Sequence, residues 1–271
     1  MEREYLKLSD SDLLFVVETV APSLKDRLEI IRNDEDIIRG MLEDERLFNR
    51  IIGDEDIMIK VSPKLFFTIL MIRARKDLRG ELYTMERDRY HKIPVFDVEK
   101  VRELIEDEDI FEYLINMLVS FTRTESQTIY YVAKGKKGLR KLRFSDIDIA
   151  DMIRLADMVN EEVRFPIYKR IGDICLWTIG IFPEYVLPRD VGSTNPRARV
   201  GFRYRMSIKE YEDIGRAFYK MASSSYDAKI IGLEKPLSIL SENFTIAEKP
   251  LNFISERYLV FTKDKWFISL N

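Results

Sequence analysis

The chain has 271 residues, 34% of them charged, yet 44 Lys and Arg against 47 Asp and Glu leave a net charge of only -3. One Cys, one His and one Gln are present. That scarcity excludes a disulfide framework and leaves too few groups for Cys/His zinc sites or for Ser-His-Asp and Cys-His catalysis.

A hydrophobic fraction of 46% is ample for a core, and the longest uncharged apolar run, Ile174 to Phe182, is far too short to cross a membrane. The opening Met1-Glu2-Arg3-Glu4-Tyr5 lacks the basic-then-apolar pattern of a signal peptide, and a single Cys suits a reducing compartment. The expectation is a soluble cytoplasmic protein with no membrane partner. Abundant charge of both signs with few labile residues is also the composition of proteins from high-temperature organisms, in which ion-pair networks are favoured.

The first 122 residues read as successive helices. Ser9-Asp10-Ser11-Asp12 precedes an apolar stretch, and Pro22-Ser23 opens another segment. The tetrapeptide Asp-Glu-Asp-Ile occurs at 34–37, 54–57 and 107–110, each time before apolar residues at helical spacing. Acids there satisfy exposed N–H groups and the positive dipole end, which accounts for the boxes better than Mg²⁺ or Ca²⁺ binding. Ser62-Pro63 starts a helix that should stop at Gly80, with Arg73, Arg75, Lys76 and Arg79 near its negative end. A capped helix follows Asp97, and an apolar one begins at Ile110.

Near 127 the period changes. Residues 128–132 are rich in β-formers, Gly135-Lys136-Lys137-Gly138 is a turn, and residues 139–144 return as a second strand. Ser145-Asp146 should cap the next helix, and Pro166 begins another that becomes apolar all round from Ile174 to Phe182. Helical patterns recur at about 207–222 and 236–248, followed by a segment from Tyr258 to Leu270 that fits helix or strand.

In that last part Tyr211, Ile214-Gly215 and Phe218, then Leu240, Phe244 and Ala247, are similar to the spacings of a tetratricopeptide repeat. The match has no second copy and its halves lie too far apart, so an ordinary helical hairpin is the expectation. The reading is therefore a mainly α fold, a helical array or bundle, with a small β-hairpin near 128–144 that borders on the α+β class. It divides into a helical domain over 1–185 carrying the hairpin, a linker or long loop over 186–206 punctuated by Pro and Gly, and a C-terminal helical hairpin over 207–271 packed on the first part as one unit.

The small net charge conceals an alternation. Successive blocks 1–60, 61–95, 96–122, 123–144, 145–165 and 166–205 carry -7, +4, -6, +6, -4 and +4, and the remainder is balanced. Lys134, Lys136, Lys137, Arg140, Lys141 and Arg143 lie on or beside the hairpin turn, next to Tyr130 and Tyr131. Arg197, Arg199, Arg203 and Arg205 share odd numbering, so an extended strand would hold all four on one face. Cations that neutralise phosphates beside rings that stack on bases are the ingredients of an RNA or DNA contact. The competing explanation is pairing with the acidic helices.

No Gly-rich phosphate motif is present. His91 falls in an extended loop before Pro94, Cys175 reads as a small core residue, and Asp146, Asp148 and Asp151 are explained by capping. No cofactor, metal or catalytic residue is assigned. Three function classes follow: a non-enzymatic interaction or scaffold protein with a protein partner or self-association, then a nucleic-acid-binding protein, and last an Asp/Glu metal-dependent hydrolase.

Overall fold

A computed structural model describes residues 3–87, 91–123, 126–132, 139–186 and 206–267, with backbone positions alone at 87, 126–127, 129–132 and 139–142. The fold is mainly helical. In chain order come α1 (Asp10–Val20), α2 (Leu28–Arg32), α3 (Glu35–Leu42), α4 (Glu45–Gly53), α5 (Ile57–Lys60) and α6 (Pro63–Leu78). Strands β1 (Thr84–Arg87) and β2 (Lys92–Val95) precede α7 (Val98–Glu106) and α8 (Glu108–Ser120). The hairpin of β3 (Ser126–Val132) and β4 (Leu139–Ser145) leads to α9 (Ile149–Met158), α10 (Phe165–Ile181) and α11 (Pro183–Val186). The last helices are α12 (Ile208–Ser223), α13 (Tyr226–Ile230), α14 (Glu234–Glu242), α15 (Phe244–Arg257) and α16 (Lys263–Trp266).

Short polar side chains start many of these helices. The Ser9, Asp34, Ser62, Asp107 and Asp148 side chains each accept from backbone N–H groups in the first turn that follows. Two of the three Asp-Glu-Asp-Ile boxes thus act as N-caps, at Asp34 and Asp107. At the third, Asp54 accepts from the Asp56 N–H at 3.0 Å and pairs with Lys60 at 2.6 Å, and α5 is a single turn. Asp148 rather than Ser145 or Asp146 caps α9, because the chain turns once more before the helix; Asp146 instead receives Arg170 at 2.9 Å.

Grouped by contacts, the chain forms two compact units. The first comprises residues up to Glu86 with Lys92–Thr122 and Lys249–Phe267; the second lies mainly in Arg123–Glu248. The 207–271 segment is therefore shared between them, and the chain passes from one to the other within α15, beside Pro250. Most of the 186–206 stretch lies outside the described residues.

The core of the first unit is built on α6, whose Phe66 and Phe67 are buried. Phe66 stacks on Trp266 at 3.9 Å between ring centroids, and Phe67 on Phe267 at 5.2 Å. Ion pairs tie its helices together: Glu108 accepts from Tyr5 at 2.7 Å and Arg75 at 2.9 Å, with Arg39 at 3.5 Å. Burial opposes ionisation of Glu108, but these partners outweigh it and hold its carboxyl below the usual range. The carbonyls at the end of α6 are satisfied by Arg102, which donates to Leu78, Arg79 and Glu81. Arg73 of α6 turns instead to Glu45 and Asp77, and Arg79, just past the helix, to Glu106.

The second unit is centred on α10, buried on all sides from Ile171 to Ile181. It packs on α9 and α12, and α12 packs on α14. Close approach is possible because glycine faces rings: a Cβ on Gly172 would lie 2.4 Å from the Tyr219 ring, and one on Gly215 would lie 2.2 Å from Phe244. The buried Asp173 accepts from the Tyr219 hydroxyl at 2.9 Å and from Lys169 at 2.7 Å. The expected single helix over 236–248 is two, α14 and α15, meeting at Asn243; Leu240 and Phe244, which the repeat-like spacing joined, fall on different helices.

Candidate interaction surfaces

The β1–β2 ribbon was not expected. Pro94 suggested an extended loop, and the backbone around it is extended, but it is paired into a two-stranded sheet. Proline at φ near -65° fits such a strand because no further strand need receive its missing N–H. The readable signal was Thr84-Met85 and Ile93-Pro94-Val95 at a short separation, too brief a pattern to stand out.

The ribbon has two unlike faces, as the alternation of strand side chains requires. One carries Thr84 and Glu86. The Thr84 hydroxyl donates to Asp97, and the Lys249 ammonium donates to Asp97 and, at 2.7 Å, to Glu86. The Lys249 side chain is only 1% exposed, so its charge is held almost entirely by these two carboxylates. Asp97, expected to cap α7, makes no such side-chain hydrogen bond, because it is engaged with Thr84 and Lys249.

The other face carries Tyr83, Met85, Pro94 and Phe96. Phe96 is 83% exposed and Tyr83 44%, and their rings meet edge to face at 6.3 Å. Pro94 is exposed, whereas Ile93, 47% exposed, alternates onto the opposite side of β2. The flanking charges are paired within the first unit: Lys92 with Glu256 at 2.6 Å, Arg257 with Glu81 at 2.5 Å and Arg79 with Glu106 at 2.7 Å. An exposed aromatic surface is the kind of patch that marks protein contacts.

The basic hairpin of the second unit is present in the expected place. β3 and β4 pair antiparallel, with Thr128 opposite Arg143, Tyr130 opposite Lys141 and Tyr131 opposite Arg140. Thr128 and Arg143 are exposed, while Phe144 is buried. Lys134, Lys136, Lys137, Arg197, Arg199, Arg203 and Arg205 lie outside the described residues.

His91 is exposed. Cys175 is buried, and burial pushes its thiol pKa up, as does the nearby Asp173 charge. Among the described residues no group of three or more His, Cys, Asp or Glu is placed to hold a metal ion, and no helix is long and apolar enough to cross a membrane. No family model, curated protein or solved structure matches the chain.

Proposed function

We propose that the chain is an interaction or scaffold protein that docks a protein partner on the apolar face of the β1–β2 ribbon. The observation that carries this reading is the opposition of the two faces: Lys249 binds one, and Tyr83 and Phe96 stand uncovered on the other. A ribbon held in place from behind loses little freedom on binding, so apolar contact on its front is not offset by ordering. Aromatic side chains are the usual anchors of such contacts.

The test compares native complexes recovered with the wild-type chain and with Phe96→Asp by size-exclusion chromatography and mass spectrometry. A defined partner recovered at constant stoichiometry with the first and absent with the second is the expected result. A wild-type chain that stays alone, or complexes indifferent to the substitution, would end the proposal.

A second reading, nucleic-acid binding, is favoured by the β3–β4 register, which sets tyrosines opposite Arg140 and Lys141. It expects RNA or DNA binding that weakens with salt and a shallower salt slope when Lys136, Lys137, Arg140 and Lys141 are changed to Ala. Fluorescence anisotropy at low salt with single- and double-stranded probes decides it; no binding to any probe removes it.

A further inference from the structure

We infer that one side of the β3–β4 hairpin is a platform for single-stranded nucleic acid, on which an unpaired base stacks against Tyr130 while Lys141 and Arg143 take neighbouring phosphates. The assignment goes beyond the ribbon's docking role and rests on the nucleic-acid reading above, to which it adds the face used and the form of the ligand.

The face follows from the register. Residues directly opposite each other in an antiparallel pair lie on one side of the sheet, and neighbours along a strand alternate. Phe144 is buried, and alternation sets Gln127, Ile129, Tyr131, Arg140 and Leu142 on its side. Thr128 and Arg143 are exposed, and alternation sets Tyr130, Val132, Leu139 and Lys141 on theirs. The two adjacent tyrosines are thereby separated. Tyr130 shares a side with the exposed Arg143, whereas Tyr131 shares one with the buried Phe144.

The ligand follows from the chemistry of the Arg143 side. From Ser126 to Ser145 the sequence holds six Lys and Arg and no Asp or Glu, so the complementary ligand is anionic. Lys141 and Arg143 stand two apart on one strand, roughly 7 Å along it, which suits successive charges of a polymer rather than a single ion. Tyr130 lies directly opposite Lys141, and the pair Val132 and Leu139 continues the same side towards the turn. Base edges in a duplex groove are read by polar donors and acceptors, which Val132 and Leu139 do not supply. An unpaired base instead offers a flat face that a ring and its aliphatic neighbours can cover, and a duplex hides that face.

The test is fluorescence anisotropy of the full chain with labelled oligo-uridylate and oligo-thymidylate against RNA and DNA duplexes of the same length, with circular dichroism confirming that each variant is folded. The single strands are expected to bind more tightly than the duplexes, and the two of them separate an RNA from a DNA ligand. Tyr130→Ala should weaken single-strand binding about 5- to 150-fold, the range for losing one stacked base, while Tyr130→Phe keeps the ring and stays near wild type. Lys141→Gln should flatten the dependence of log affinity on log salt by about 0.7, the value for one phosphate on a single strand, and Arg140→Gln, on the side of Phe144, should not. Duplexes bound as tightly as single strands, Tyr130→Ala at wild-type affinity, or equal effects of Arg140→Gln and Lys141→Gln overturn the inference while leaving the nucleic-acid reading in place. Competition by polyglutamate as strong as by the oligonucleotide assigns the face to an acidic protein and also overturns it. No binding to any probe ends both.

Discussion

The two units are held together by different means. In the first, charged groups join elements remote in the chain: Lys249 meets Glu86 and Asp97, and Glu108 gathers Tyr5, Arg39 and Arg75. In the second, an apolar helix is approached so closely by its neighbours that Gly172 and Gly215 lie against aromatic rings. Yet both solve one local problem alike. Arg102 closes the end of α6, and Arg216 donates to the Ser241 and Glu242 carbonyls at the end of α14. The comparison teaches that a charge-rich composition need not be used evenly: among the described residues ion pairs join many elements of the first unit, while in the second Arg170–Asp146 and Lys169–Asp173 stand beside close ring-to-glycine packing.

The sharpest break of that contrast is Lys249→Met. It leaves Asp97, 14% exposed, without its cation while Glu86, 40% exposed, turns to solvent, and losing hydrogen bonds from a buried charged donor costs about 3 kcal/mol. Chemical denaturation should register the loss, and peptide-resolved hydrogen exchange should locate it in the first unit. If protection falls equally in the second, the division of labour is wrong.

Gly215→Ala comes next, with an expected loss of about 2–3 kcal/mol from overpacking against Phe244. Gly172→Ala should behave likewise against Tyr219, and exchange should report both in the second unit.

The third prediction concerns acid. Glu108 is held below the usual range, so its contribution is present above the unfolded value of about 4.3 and is lost as pH falls through the lower folded value. Glu108→Gln should thus be less stable than the wild type at neutral pH. The gap should narrow on acidification, as thermal melts over a pH series would show; a constant gap would mean that the carboxylate's charge is not what matters.

The smallest effect has the opposite sign. A Cβ on Gly40, inside α3, meets nothing within 4 Å, so Gly40→Ala should stabilise by about 0.5–1 kcal/mol through helix propensity alone. Set beside Gly215→Ala, the same substitution then separates backbone entropy from packing.

Much of the fold was legible. Helix starts at Ser9, Asp34, Ser62 and Asp107, the hairpin near 128–144 and the buried helix after Pro166 all follow from rules that act within a few residues. The ribbon was not legible, because two four-residue strands carry too little pattern to outweigh a proline. Nor was the work of Asp97, which stands where a cap is expected but is drawn away by Lys249. The charge alternation told only that cations and acids lie in separate blocks. Which of them meet was decided by packing, and in the 61–95 block Lys64, Arg73, Arg75, Arg79 and Lys92 all find acids within the first unit.

By itself, then, the sequence determined what its local chemistry can enforce: a mainly helical chain, where its helices begin, and one basic hairpin. Tertiary structure alone decided that Lys249–Phe267 join the first unit and that the ribbon acquires a buried face and an open one. The physical reason is separation. Lys249 is 163 residues from Glu86 and 152 from Asp97, and no periodicity, cap or turn rule reaches so far. Only the folded chain brings that ammonium to the back of the ribbon and leaves Tyr83 and Phe96 at its front.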